Sequence, residues 1–121
     1  MDEDQYRPGK TTIAPDVLIS IARLTSLSID GVCRMAPTPG KLSKLMKKDA
    51  NDGVQIFVEN NTVYADIYVV LDKDVNIRDV SRSVQNQITR AISEMVGMEV
   101  GRVNIHVEDI NYNTTSEPGT P

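Results

Sequence analysis

The sequence predicts an α+β fold: a small mixed β-sheet with helices packed mainly on one face. Three patterns carry that reading. Residues 54–71 alternate apolar and polar around Asn60-Asn61, a pair suited to a tight turn, so a hairpin with one buried face is expected. Residues 77–95 place Ile77, Val80, Val84, Ile88, Ala91, Ile92 and Met95 at steps of three and four, the period of an amphipathic helix. Alternation then returns in Val103, Ile105 and Val107. A strand, a helix and a strand in succession form a crossover, so the second hairpin strand and the last strand are expected to run parallel.

In chain order the elements read β-α-(β)-α-β-β-α-β. A short strand is expected at Thr11–Ala14. Pro15 suits the first turn of a helix, where its missing N–H costs nothing, and Asp16 suits the positive end of the dipole. Val17, Leu18, Ile21, Ala22 and Leu24 follow at helical spacing, and the turn dipeptide Asp30-Gly31 stops the helix near Ser28. Val32–Met35 reads as a short strand, after which Pro37, Pro39 and Gly40 interrupt regular structure. Residues 41–49 read as a short helix with Leu42, Leu45 and Met46 on one side and Lys41, Lys44, Lys47 and Lys48 on the other. Two turns do not persist alone, so its apolar face must dock. Asp52-Gly53 opens the hairpin, Asn76 caps the long helix, and Gly97 ends it at the C′ position. The final strand is expected at a sheet edge whose free backbone groups can pair with another copy. A proline at Asn104 or His106, whichever N–H faces outward, would test that pairing.

The 121 residues fit one domain over 11–110, with a flexible tail at 1–10 and a disordered one at 111–121. Aromatic residues make up 4%, without Trp and with a single Phe, so the core must be aliphatic. A net charge of −4 argues against a dedicated nucleic-acid binder. Cys33 is the only cysteine, which excludes an internal disulfide, fits a reducing compartment and reads as a small buried hydrophobe. The polar first ten residues lack the apolar region of a signal peptide, and no apolar run approaches membrane-spanning length. A cytoplasmic protein is expected.

No catalytic, metal or cofactor site is expected. One histidine and one cysteine cannot form a His/Cys metal cage, and no glycine-rich phosphate loop occurs. Asp72, Asp74 and Asp79 lack calcium-loop spacing and read as helix-capping charges. Phe57, Tyr64, Tyr68 and His106 fall on the outward sheet face, as in RNA-stacking platforms, but Glu59, Asp66 and Glu108 share that face and would repel phosphate. A protein contact or cover by a helix fits it better. The other uneven feature is charge. Arg34, Lys41, Lys44, Lys47 and Lys48 stand together without an acid, leaving eight basic against 17 acidic residues elsewhere, a net −9. Such a segment is either a solvated helix face or a contact for an acidic partner or anionic surface; Lys41, Lys44, Lys47 and Lys48 are the candidate partner-binding residues.

Several stretches together resemble the alkaline shock protein family, also called the envelope stress response family, over about Thr12 to Ile110. They are Thr12-Ile13-Ala14-Pro15-Asp16-Val17, Ile29-Asp30-Gly31-Val32 with Met35, Gly53-Val54, Ala65-Asp66-Ile67-Tyr68-Val69-Val70, Val80 to Gln85, and Val103-Asn104-Ile105-His106-Val107. The charged loop Asp72–Val75, and Arg78 where the family commonly has Pro, depart from the pattern. The resemblance implies a non-enzymatic, self-associating interaction or scaffold protein of the bacterial cytoplasm, linked to cell-envelope homeostasis. It implies protein partners, a membrane-embedded anchor among them, no cofactor, and no functional residue to transfer. A nucleic-acid-associated or regulatory accessory domain is the alternative.

Overall fold

Asn60 and Asn61 adopt φ angles of 53° and 62°, the left-handed geometry that suits a two-residue hairpin turn. They reverse the chain between β2 (Val54–Glu59) and β3 (Thr62–Asp72). The computed structural model describes residues 9–39 and 53–112. The segment 41–49, with Lys41, Lys44, Lys47 and Lys48, lies outside the described residues, as does most of both tails.

The central strand is β3. On one side, β2 pairs with it antiparallel from Val54↔Ile67 to Glu59↔Thr62. Further along the same side, β1 (Val32–Met35) pairs antiparallel with residues 69–71. On the other side, β4 (Glu99–Asn111) runs parallel to β3 along its whole length, as the crossover through α2 (Ile77–Ala91) requires. The described sheet is therefore four-stranded and mixed.

Strict alternation buries Val63, Ala65, Ile67, Val69 and Leu71 on one face of β3. Leu18 and Ala22 of α1 (Pro15–Leu27), with Val80, Val84 and Ile88 of α2, complete the core against that face. Asn76 caps α2 as expected, its side chain accepting from the Asp79 N–H at 2.9 Å. Both described helices thus lie on one side of the sheet; on the other side Val70 is buried, while Gln55, Phe57, Tyr64, Asp66 and Tyr68 are exposed or half-buried.

Four local expectations need correction. Thr11–Ala14 is not a strand: proline at position 15 keeps Ala14 extended (φ −68°, ψ 144°), but among the described residues no strand lies beside it to pair with. In α1 the buried row is Leu18, Ala22 and Ser26, while Val17 and Leu24 are exposed. The Ser26 hydroxyl is satisfied by donating to the Ala22 carbonyl at 2.8 Å, so this small residue can be buried. Beyond α2, Ile92–Val96 forms a single π-helical turn closed by Gly97 at φ 77°. That wider turn puts Val96 against the core, where regular spacing would have put Met95, and leaves Met95 70% exposed. Finally, β4 extends through Asn111, a residue assigned above to the tail. Two extra residues, Gly101 and Glu108, bulge from its ladder with β3, and each shifts the register by one.

Candidate interaction surface

The open face of the sheet is built by the pleat. With Ile67 and Val69 turned to the core, Tyr64, Asp66 and Tyr68 point the other way, and register sets Arg102, Asn104 and His106 of β4 beside them in that order. On the opposite flank, Gln55 and Phe57 stand across from Asp66 and Tyr64.

Asp66 is the hub. Its Oδ1 accepts from Asn104 Nδ2 at 3.1 Å and from His106 Nε2 at 2.9 Å. The imidazole lies flat on the Tyr68 ring, with centroids 4.5 Å apart and planes 13° from parallel. The Tyr68 hydroxyl reaches Gln55 Oε1 at 3.4 Å, a long bond. Phe57 and Tyr64 make a second, tilted ring pair at 5.9 Å. The Tyr64 ring also covers Gly101, where a Cβ would come within 2.5 Å of it. Phe57, Glu59, Tyr64, Asp66, Arg102 and Asn104 line a shallow basin of about 390 Å³ on this face.

The hydrogen bond from His106 holds the Asp66 carboxyl below its ordinary range, outweighing the opposing effect of burial; Asn104 and the charges of His106 and Arg102 act in the same direction. Burial pushes the Tyr68 phenol up, and the charges of Asp66 and Glu108 add to that. A carboxylate orienting an imidazole is also part of hydrolytic triads. Among the described residues, however, no Ser, Thr or Cys side chain bonds His106, and its Nδ1 has no partner. The arrangement fixes hydrogen-bonding groups and ring faces on a surface that remains accessible.

The outward grouping of Phe57, Tyr64, Tyr68 and His106 follows the sequence expectation, but the Asp66–Asn104–His106 network does not. On sequence grounds Asp66 is a charge on the outward face that would repel phosphate. The signal was available: once β3 and β4 run parallel, Ala65-Asp66-Ile67-Tyr68 aligns residue for residue with Val103-Asn104-Ile105-His106. Cys33 is half-buried, with its sulfur taking weak contacts from Asn111 Nδ2 at 3.3 Å and Arg34 Nη1 at 3.5 Å. Among the described residues, no cluster of three His, Cys, Asp or Glu side chains is placed to hold a metal ion, and no helix is long and apolar enough to cross a membrane.

An α+β domain with an open, internally hydrogen-bonded sheet face is thus the class that fold and surface define. The chain belongs to the alkaline shock protein 23 family, of cell envelope-related function, whose family model matches residues 3–112. It is 29% identical over 119 residues to the uncharacterized protein YqhY of Bacillus subtilis, covering 97% of this chain and 88% of that protein. It is 31% identical over 111 residues to the uncharacterized protein Spy1535 of Streptococcus pyogenes, covering 91% and 85%. A second streptococcal protein, the uncharacterized protein Spy1614, is 24% identical over 108 residues, covering 86% and 89%. No solved structure matches the chain.

Proposed function

We propose that this protein is a non-enzymatic interaction scaffold of the bacterial cytoplasm that self-associates and serves cell-envelope homeostasis through protein partners, a membrane-embedded anchor among them. The observation that carries the reading is the open sheet face. Its polar groups are already oriented by one another, so a partner need not immobilise them, and that lowers the cost of binding. The envelope-related family and the absence of a spanning helix among the described residues support recruitment through a partner. Glu59, Asp66 and Glu108 near the aromatic rings favour protein over nucleic acid.

The test is recovery of the protein with the membrane fraction of its host, with and without nuclease, for wild type and for Phe57→Glu. Phe57 is 59% exposed, so this change leaves the fold intact. Recovery should survive nuclease and fall in the variant. Release by nuclease would favour the nucleic-acid reading instead. Equal recovery of the variant would remove the sheet face from the contact.

A further inference from the structure

We propose that two copies of the chain pair edge to edge along β4, antiparallel, about a two-fold axis through Ile105. The inference rests on the self-association proposed above and names its surface. The other edge of the sheet is divided between two short strands, β1 and β2, whereas β4 offers one continuous edge.

Backbone direction decides which residues are available. Tyr68 N donates to Gly53 O at 2.8 Å, Tyr68 O accepts from Ala36 N at 2.9 Å, and Asp72 N donates to Gly31 O at 2.8 Å. Even-numbered residues of β3 therefore face β1 and β2, and odd-numbered ones face β4. In the parallel register Ile67↔Ile105, Ile67 must then bond to the residues flanking Ile105, namely Asn104 and His106. The N–H and C=O groups of Val103, Ile105 and Val107 point to the edge of β4 that no described strand covers. Independent support comes from Val103, whose carbonyl accepts from the Gln85 side chain at 3.0 Å and keeps a second lone pair for another donor. Asn104 and His106, where a proline was first expected to test pairing, have their N–H groups turned inward.

The side chains of β4 read nearly the same in both directions from Ile105. Pairing about that residue sets Val103 opposite Val107 on the core face. Of these and Ile105, all but Val103 remain partly exposed in the single chain. On the outward face it sets Asn104 opposite His106, and Arg102 opposite Glu108. Both charges of that last pair are exposed, and neither forms an ion pair among the described residues. A shift of one residue would turn core side chains to the wrong face. A shift of two would set Arg102 against His106, or His106 against itself. The bulges at Gly101 and Glu108 leave Arg102–Val107 as the regular stretch of this edge, and a stretch this short disfavours open aggregation. Being isologous, the contact closes at a dimer.

The register makes a charge-exchange test specific. Arg102→Glu sets two acids opposite each other at both ends of the interface, and Glu108→Arg sets two cations there. Each single variant should weaken dimerisation in sedimentation velocity by at least about tenfold, since like charges directly opposite repel. The double variant restores opposite charges only in this register and should return close to wild type. Thermal melts check folding, which these exposed positions should not disturb. Wild-type association unchanged by either single variant, or a double variant no better than the singles, overturns the β4 pairing but leaves self-association through another surface. A strict monomer at all concentrations overturns both.

Discussion

Replacing Ile88 with Ala tests the packing on which the open face depends. Ile88 is 0% exposed and sits in the α2 row that covers β3. The change removes three carbon atoms, worth about 2.4 kcal/mol at roughly 0.8 kcal/mol for each buried methylene. If neighbours fail to collapse, a residual cavity of up to about 80 Å³ adds about 2 kcal/mol at roughly 24 cal/mol per Å³. The expected loss is about 2–4.5 kcal/mol, a large share of the 5–15 kcal/mol typical of a domain. Arg90→Ala, two residues along, is the control. Among the described residues its only partner is Glu94 at 3.3 Å, both side chains are more than 60% exposed, and such a pair contributes about 0.3–0.5 kcal/mol. In urea melts, with a slope of about 1–3 kcal/mol per molar, Ile88→Ala should lower the midpoint by about 1 M or more while Arg90→Ala barely moves it. Similar losses from the two would refute the phase assigned to α2.

Gly53→Ala should destabilise by at least about 1–2 kcal/mol in the same melts, because Gly53 sits at φ 74° and a Cβ there would approach the Tyr68 carbonyl oxygen to 2.8 Å; a neutral result would show that the β2 entrance relaxes freely. The pKa of Asp66 is lower folded than unfolded, so its carboxylate adds stability above the ordinary carboxylate range and loses it as pH falls through the lowered value. Asp66→Asn should flatten the acid limb of a stability–pH profile only slightly, because both partners are 39% exposed, and an unchanged limb would refute that contribution. Changing Lys41, Lys44 and Lys48 together to Glu should leave the melt nearly unchanged while membrane-fraction recovery falls; recovery equal to wild type would make those lysines a solvated face only.

The elements most legible in the sequence were those whose pattern and neighbours agree. The hairpin had alternation on both sides of Asn60-Asn61, and the turn residues adopt the left-handed angles such a turn needs. The failures share another cause: local pattern was correct but tertiary context decided. Ala14 is extended, as proline requires, yet a strand needs a neighbour. Leu24 has helical spacing but is 61% exposed, because α1 meets the sheet along Leu18, Ala22 and Ser26, whose small members admit close approach. Met95 was displaced by a π turn that hydrophobic spacing does not announce. The Asp66 network was hidden for a related reason. A hydrogen bond across 40 residues becomes visible only once the parallel register is applied residue by residue.

The sheet face and the β4 edge make one further demand on each other. A pair such as Asp66–His106, with both side chains 39% exposed, contributes little to folding stability, so under the proposed function its order matters for recognition more than for the fold. In the proposed dimer Asn104 of one copy stands opposite His106 of the other, and the two networks join into one surface across the axis. A partner that spans the axis would bind the dimer better than the single chain and would stabilise it by mass action. Partner recovery should therefore follow dimerisation even for changes outside the aromatic rings. Arg102→Glu should lower membrane-fraction recovery, and adding Glu108→Arg should restore it, although the double variant leaves neither residue with its original charge. Recovery lost in both would mean that Arg102 or Glu108 touches the partner directly. Recovery kept in Arg102→Glu, at concentrations where sedimentation shows it monomeric, would mean that each copy binds its partner alone.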